Sequence, residues 1–387
     1  MMNVLFIFMC SVSFVTSHQF DNKQNTLKED LEIERELKLL NKAPVKSIYT
    51  KFGYIIDCIG INNQPAFNHP LLMNHKLQEK PSFRTKKRKN SVKSSSTKAL
   101  SGLQKAQCPT GTVPIKRTTK DDLIRGKSYF NNGLVGNLHG NHYAEVITLE
   151  DDEKSYYGVA GTNSVYNFKV NKDQSSSSVM FVRDGPESIN YIGMGWHVAP
   201  QLYNDDETHF YVVWTTDNFK NTGCFNLLCP GFVQTSQTNY LGGQFSNTSI
   251  HGGPIIAITM SISQDPKTKN WWISNEYENL GYFPPSLFSN LYSAGQVGWG
   301  GRTSTSPGAP SPPMGSGLFP DNNYYHAAYF INVSHQNDST TSYGPEWYLT
   351  ESYFDKPDCF SAEYYGKQDR EVGFSLQYGG IGGNCGD

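Results

Sequence analysis

Cys224 and Cys229 stand only five positions apart, and this spacing restricts the fold of the surrounding chain more than any other feature of the sequence. Two cysteines at this distance can close a small disulfide loop. Pro230 and Gly231 follow at once; the proline fixes φ and the glycine frees the backbone to turn. A short apolar segment, 232–235, comes next. The stretch therefore predicts a turn that is stapled by a disulfide and lies between two β-strands.

The cysteine content indicates an oxidising compartment. Of the seven cysteines, Cys10 lies in an apolar N-terminal stretch, so six remain for the rest of the chain, an even number that fits a set of disulfides. Metal binding is not expected, because the sequence has no Cys-x-x-Cys pair and no histidine pair at ligand spacing near a cysteine. Many pairings are possible, and proximity along the chain groups the six as Cys58 with Cys108, Cys224 with Cys229, and Cys359 with Cys385.

The N-terminus has the pattern of a signal peptide. Residues 4–15 are apolar, and 15–17 read Val-Thr-Ser, a small-residue cleavage pattern that predicts a signal peptide over 1–17. No other run approaches the length of a membrane span, so we expect a soluble, secreted, extracellular protein with no membrane partner. Asn-x-Ser/Thr sequons, expected to carry glycans in surface loops, occur at Asn247, Asn332 and Asn337.

The charge is divided unevenly along the chain. Residues 18–128 carry 22 Lys and Arg against 10 Asp and Glu, a balance of +12, whereas residues 129–387 carry 11 against 25, a balance of −14. Opposite blocks in one chain suggest that the first part docks on the second, although a solvated basic tail would give the same count. Nucleic acid is not expected as a partner, because the larger part is acidic.

The first part of the chain reads as a small mixed domain. A capping box at 26–29 begins a helical pattern that continues to about residue 42. Residues 51–61 are apolar and β-branched and predict a strand that carries Cys58. Residues 84–106 are rich in Lys and Ser and predict an exposed loop, and Asn and Gly at 131–140 suggest a linker.

Beyond this linker the pattern is all-β. Short apolar segments separated by Gly, Asn, Asp and Pro predict an antiparallel β-sandwich. We expect a loop over 300–320, rich in Gly, Ser and Pro, and at most one helix, over 285–292. The expected division is a signal peptide, a pro-segment over 18–136 and a sandwich over 137–387. The predicted strands are 143–149, 164–170, 179–183, 210–214, 255–263 and 271–274.

Several longer motifs resemble one family, the plant neprosins. These are secreted glutamic endopeptidases that cleave beside proline and carry an N-terminal activation propeptide. The resemblance implies a glutamic-peptidase-like β-sandwich, a pro-segment that docks on it, and the same three local disulfide pairs. The motifs that carry it are 57–58, 64–72 and 108–117 in the first part, and 214–235, 270–272, 281–284 and 314–320 in the second.

The resemblance also indicates where catalytic acids belong, and this chain has none there. Neprosins place one glutamate in Ile-Glu-x-Gly-Trp, and residues 192–196 read Ile-Gly-Met-Gly-Trp, which puts Gly193 at that position. The second ends the pattern Val-Glu-Trp-Gly-Gly-Glu, and residues 297–302 read Val-Gly-Trp-Gly-Gly-Arg, which puts Arg302 there. Acid-assisted hydrolysis needs one ionised and one protonated carboxyl group. We therefore expect a non-catalytic protein that acts by binding peptides or proteins, proline-containing peptides among them.

Two other functions stay open at this stage. Glu276 and Glu278 alternate along a predicted strand and are candidate replacement acids for an active acid endopeptidase, although a solvated strand face explains them equally. Alternatively, Trp271 and Trp272 in a β-sandwich could stack on sugar rings of cell-wall glycans, although such residues more often lie in a core. No cofactor is implied by any of the three functions.

Overall fold

The structure is a computed structural model that describes residues 28–83, 102–130, 140–149, 154–184, 189–276, 278–337 and 341–386. The predicted signal peptide, most of the predicted basic loop and nearly all of the predicted linker lie outside these residues.

The pro-segment contains a small sheet between two helices. Helix α1 covers residues 28–40, as the sequence predicts. Strands β1 (Lys46–Tyr49), β2 (Ile55–Gly60) and β3 (Thr112–Lys116) form an antiparallel sheet in that order. Helix α2 (Lys120–Phe130) was not expected from the sequence. It begins with a reciprocal cap, because the Thr119 Oγ1 accepts from the amide of Asp122 at 3.1 Å and the Asp122 carboxylate accepts from the amide of Thr119 at 2.8 Å.

The remaining chain forms two antiparallel sheets that pack face to face, which confirms the predicted all-β sandwich. The seven-stranded sheet has the order β17-β4-β14-β6-β7-β8-β9. Its strands are β4 (Asn141–Thr148), β6 (Ser175–Arg183), β7 (Tyr191–Val198), β8 (Thr208–Thr215), β9 (Cys224–Phe225), β14 (Gln296–Ser304) and β17 (Thr350–Phe354), with the short helix α3 (Pro200–Tyr203) between β7 and β8.

The nine-stranded sheet covers the other side of the core. Its main order is β10-β13-β12-β11-β5-β15-β19-β18, and β16 pairs with β15. Its strands are β5 (Gly158–Ser164), β10 (Val233–Gln234), β11 (Ala257–Gln264), β12 (Trp271–Asn275), β13 (Glu278–Phe283), β15 (Ala328–Gln336), β16 (Ser342–Tyr343), β18 (Ser361–Lys367) and β19 (Phe374–Gly379).

Tryptophans on the inner face of the seven-stranded sheet bind the two sheets together. The Trp196 indole N–H donates to the carbonyl of Ser164 at 2.8 Å, and the Trp299 indole N–H donates to the carbonyl of Ala160 at 3.1 Å. Both rings are buried, so each hydrogen bond satisfies an indole N–H that would otherwise lack an acceptor in the core. Because side chains alternate along a strand, the neighbours of Trp196 on β7 at odd positions point to the outer face.

The three predicted disulfides are present, namely Cys58–Cys108, Cys224–Cys229 and Cys359–Cys385.

Several predicted boundaries of strands, loops and helices are wrong. The strand expected at 164–170 ends at Ser164, the expected loop at 300–320 begins only after Ser304, and the helix expected at 285–292 is a single 3₁₀ turn, Pro285–Leu287. Trp271 and Trp272 are fully buried, which leaves neither ring free to stack on a ligand.

The pro-segment docks on the sandwich through apolar clusters, such as Ala66 with Val233 and Trp272, and through hydrogen bonds. Gln64 and Gln234 bond reciprocally, because the Gln64 side chain donates to the Gln234 carbonyl at 3.0 Å and accepts from its amide at 2.7 Å. The Asp265 carboxylate accepts from the Gln78 side chain at 2.8 Å and from the Ser82 hydroxyl at 2.7 Å.

Few of the described ion pairs join the two charge blocks. Lys105 pairs with Glu278 across the interface at 3.3 Å. Other basic residues of the pro-segment pair with its own acids: Arg117 with Asp57, Lys120 with Asp30, Arg125 with Asp122, and Lys127 with Glu36. Among the described residues, the opposite charges of the two parts therefore contribute less to docking than the charge sums suggest.

Candidate functional site

Gly193 and Arg302 lie on the same outer face of the seven-stranded sheet. In the strand register, Arg302 on β14 is opposite Ser177 on β6, and Ser177 is opposite His197 on β7. Gly193 lies four residues before His197 on the same strand and shares its face. The two positions that the family resemblance singled out are therefore separated by β6 and by four residues along the strands, and they belong to one face of the sheet.

Arg302 forms an ion pair within the sheet. Its Nε donates to Glu145 Oε1 at 2.6 Å, and Glu145 lies on β4 opposite Gly300. The Glu145 side chain is 5% exposed and that of Arg302 is 24% exposed. Burial works against the cation, but the Glu145 carboxylate outweighs it and raises the pKa of Arg302 well above its ordinary value. The guanidinium is therefore charged under all physiological conditions.

Three aromatic rings surround this guanidinium. Its carbon lies 5.3 Å from the ring centre of Tyr143, 5.4 Å from that of Phe181 and 5.4 Å from that of Tyr191. A guanidinium at such distances is attracted by the ring quadrupoles, and Arg is the cation best suited to stacking. Burial raises the pKa of Tyr191 to about 12, so its hydroxyl stays protonated beside the cation.

The other position, Gly193, is closed by a neighbouring ring. A Cβ at this position would lie 2.7 Å from both Cε1 and Oη of Tyr191, which is closer than real Cβ contacts. The Tyr191 ring is itself held, with its centre 5.4 Å from that of Phe181 and 5.8 Å from that of Phe219. The space in which an acidic side chain would begin is therefore occupied.

A cavity of about 70 Å³ opens beside Arg302 on this face. Tyr143, Ser177, His197 and Tyr211 line it together with Arg302, whereas Glu145 does not. Helix α2 of the pro-segment also reaches this cavity through Tyr129. The pro-segment thus covers part of the face on which the family's acids would stand.

Helix α2 is held on this face by two kinds of contact. The Tyr129 hydroxyl donates to Ser175 Oγ at 3.2 Å, and its ring centre lies 5.3 Å from that of Phe225. Phe130 contacts Phe219, with 6.0 Å between the ring centres. Displacing the helix would expose these aromatic rings to water, at a cost that grows with the apolar area uncovered.

His197 is the histidine that lines the cavity, and its environment keeps it neutral. Its ring stacks on Tyr211 with 4.2 Å between centres, and its Nε2 lies 2.6 Å from the Tyr203 hydroxyl. Burial lowers the pKa of His197 well below its usual value. The His197 imidazole is therefore neutral, and its Nε2 already contacts the Tyr203 hydroxyl. It does not supply a charged group in place of a catalytic acid.

The structure does not bring Glu276 and Glu278 to this face. Strand β12 ends at Asn275, so Glu276 lies in a turn with a φ of 45°, and Glu278 begins β13 of the other sheet. Glu278 pairs with Lys105 and accepts a hydrogen bond from the Asn239 side chain. The expectation of one strand carrying both acids on one face is wrong, because the chain reverses between them.

Glu145 and Tyr191 were missed by the sequence analysis, and only Glu145 left a signal. Residues 141–148 read Asn-His-Tyr-Ala-Glu-Val-Ile-Thr, in which one acid interrupts a strand-forming run. A carboxylate within a buried strand requires a partner, since an unpaired buried charge is costly. The partner, Arg302, lies 157 residues away and could not be named from the sequence.

The predicted glycosylation sites differ in their surroundings. Asn247 is exposed, whereas Asn332 and Asn337 are half-buried. The Asn332 side-chain amide donates to the Glu371 carbonyl at 3.0 Å. Of the three, Asn247 is the position that most easily accommodates a glycan.

No helix in the described ranges has the length and apolarity of a membrane span. Within the same ranges, no group of three or more His, Cys, Asp or Glu side chains could hold a metal ion.

Comparison with known proteins identifies the family. Two solved structures share 10% sequence identity with this chain, and each comparison covers 62% of this chain and 98% of the other: a Scytalido-glutamic peptidase with a peptide-based transition-state analogue, at a TM-score of 0.33, and SCP-B, a member of the Eqolisin family of peptidases, in a complex with a tripeptide, at 0.34. The family model for the neprosin activation peptide matches residues 47–157, and the neprosin model matches residues 172–381. The chain therefore belongs to the neprosin family and carries that family's activation peptide at its N-terminal side.

Proposed function

We propose that this chain is a secreted member of the neprosin family that binds peptides or proteins on the outer face of the seven-stranded sheet and does not hydrolyse them. The observation that carries the proposal is the ion pair between Arg302 and Glu145, on the face where Gly193 supplies no acid. The resemblance implies that both catalytic acids would stand at these two positions.

Hydrolysis by paired carboxyl groups requires two acids in different protonation states. On this face Glu145 gives one of its oxygens to the guanidinium at 2.6 Å, which holds it as a partner for Arg302. A guanidinium offers donors only and cannot accept a proton from water. At Gly193 the ring of Tyr191 fills the space from which a second carboxyl group would act.

The alternatives from the sequence have less support. Glu276 lies in the turn between β12 and β13 of the nine-stranded sheet, and Glu278, which begins β13, is already engaged by Lys105. Glycan binding rested on Trp271 and Trp272, and both are buried. Peptide binding is favoured because the cavity beside Arg302 combines aromatic rings with polar groups, the usual lining of a ligand site.

The test measures binding and cleavage in the same sample. Proline-containing peptides are titrated by calorimetry into the full chain and into the full chain cut at a specific-protease site inserted within residues 131–139. Mass spectrometry of the cell contents then reports whether the peptide is intact. We expect saturable binding, tighter after the cut because α2 is freed to leave, with intact peptide recovered. Peptides that bind to neither form would contradict the proposal.

A further inference from the structure

The guanidinium of Arg302 keeps unused hydrogen-bond donors. Arg presents five N–H groups, and the bond to Glu145 uses the one on Nε. Within the described part of the chain, the Nη groups have no hydrogen-bond acceptor. The side chain is 24% exposed and lines the cavity, whereas Glu145 does not line it. The guanidinium thus stands between its carboxylate partner on one side and open space on the other.

A second guanidinium lies against the same aromatic ring as Arg302. Arg183 lies over the same ring as Arg302, with its guanidinium carbon 5.6 Å from the centre of Phe181, against 5.4 Å for Arg302. Arg302, Glu145 and Arg183 are the charged groups that act on the Tyr191 hydroxyl between them. The Tyr191 hydroxyl therefore lies in the field of two guanidinium groups and one carboxylate.

The size and lining of the cavity limit what can enter it. A volume of about 70 Å³ has room for a small group such as a carboxylate. Its walls carry the hydroxyl of Ser177 and the rings of Tyr143 and Tyr211 beside Arg302. A planar anion with two oxygens matches the fork of the guanidinium, because two parallel N–H···O bonds can form.

We propose that this cavity binds a carboxylate of a peptide ligand, with the Nη groups of Arg302 as its donors. The carboxylate belongs either to the free C-terminus of the peptide or to an Asp or Glu side chain within it. The inference rests on the proposed function, since it names the chemical group by which a bound peptide is recognised. It gives Arg302 a positive role in place of the acid that the family resemblance implies at this position.

The experiment compares peptides that differ only in the carboxylate. The full chain, intact and cut within 131–139, is titrated with acetyl-Ala-Pro-Ala carrying a free C-terminus and with its C-terminal amide. A second pair, acetyl-Ala-Pro-Glu-Ala-amide and its Gln counterpart, separates a side-chain carboxylate from a terminal one. We expect at least about tenfold tighter binding for the acid member of one pair, because a hydrogen bond to a charged group is at stake.

Two variants connect this preference to Arg302. Arg302→Gln should reduce the ratio between acid and amide to about one, whereas Arg370→Gln, which removes an exposed positive charge elsewhere, should leave it unchanged. If Arg302→Gln does not fold, the charge-neutral double variant Arg302→Gln with Glu145→Gln takes its place. A preference that survives in the variant overturns the assignment of Arg302.

The remaining outcomes separate this inference from the proposed function. Acid and amide peptides that bind equally well to the wild-type chain overturn the carboxylate site and leave peptide binding intact. Peptides that do not bind in any form overturn both.

Discussion

Gly193 and Arg302 lie on one face of one sheet, and both stand where the family resemblance implies a catalytic glutamate, yet their surroundings differ. At Gly193 no side chain remains, and the ring of Tyr191 occupies the space. At Arg302 a charge remains with its sign reversed, Glu145 neutralises it, and a cavity stays open beside it. The space beside Gly193 is filled by the Tyr191 ring, whereas Arg302 borders an open cavity.

The largest expected effect comes from breaking the ion pair. Arg302→Gln should lower the free energy of unfolding by about 3 kcal/mol, because it leaves Glu145 buried without its partner; the partial exposure of Arg302 puts the cost at the low end for such pairs. Urea denaturation followed by tryptophan fluorescence measures it. The double variant with Glu145→Gln should recover most of the loss. A double variant as unstable as the single one would show that packing, and not charge, dominates at Arg302.

A smaller effect should follow from adding one methyl group at Gly193. Gly193→Ala should destabilise the chain by about 2 kcal/mol, because the new Cβ would overlap the Tyr191 ring. Gly60→Ala is the matched control, since a Cβ on that strand residue would meet its nearest neighbour at 3.5 Å. Combining Gly193→Ala with Tyr191→Ala tests the cause, because the penalty of the added methyl should vanish in that background. A full penalty that persists without the ring would contradict the account of this position.

The smallest expected effect is a dependence of pro-segment docking on pH. Neither Gly193 nor Arg302 can titrate between about pH 5 and 7. Any loosening of the pro-segment in that range must come from elsewhere. His69 and His75 of the pro-segment lie against the sandwich, and burial there lowers the pKa of each. His75 Nε2 lies 2.9 Å from the Tyr282 hydroxyl. The undocked histidines accept protons first as pH falls below their ordinary pKa of about 6.5, so docking is strongest above that pH and weakens below it.

Asp265 does not add to this response in the same range. Burial alone would raise the pKa of Asp265, but hydrogen bonds from Ser82 and Gln78 outweigh it and lower the value to about 2. Dissociation of the cut chain, measured by size exclusion at about pH 7 and 5, should therefore increase at the lower pH. In the double variant His69→Gln with His75→Gln the two values should converge. A pH response that survives this change would assign it to other groups.

The sequence predicted the sandwich from local features, and it predicted the three disulfides from the order of the cysteines along the chain and from the family resemblance. Alternating apolar segments indicate their own local structure, and so does the close spacing of Cys224 and Cys229. Residues 300–304, the second half of β14, were predicted as part of a loop because of their glycines, and the structure shows why glycines occur in this strand. A Cβ at Gly300 would collide with the carbonyl of Ala144, and one at Gly298 would lie 2.5 Å from the Phe181 ring. Glycine in a strand can mark close approach of a neighbour as well as a turn.

The candidate site was predictable only in part. The family resemblance located Gly193 and Arg302, but it could not show that Tyr191 fills the space at one and that Glu145 pairs with the other. The pair of Glu145 with Arg302 depends on the strand order of the seven-stranded sheet, which places β4 beside β14. Tyr191 lies two residues from Gly193 on β7, and its ring is held over that position by packing on Phe181 of β6. Helix α2 was missed although Thr119 and Asp122 form its cap, because its apolar face is short.

The central claim is that this face has lost its peptidase chemistry, and one measurement tests it most directly. The full chain, intact and cut within residues 131–139, is incubated with proline-containing peptides at about pH 3 to 7, and the products are counted by mass spectrometry. Glu145→Gln serves as the control, because Glu145 is the acid on this face that Arg302 engages. The account predicts no products above buffer in any sample at any pH. Products that increase with the amount of wild-type chain, appear in the cut form and disappear with Glu145→Gln would contradict it.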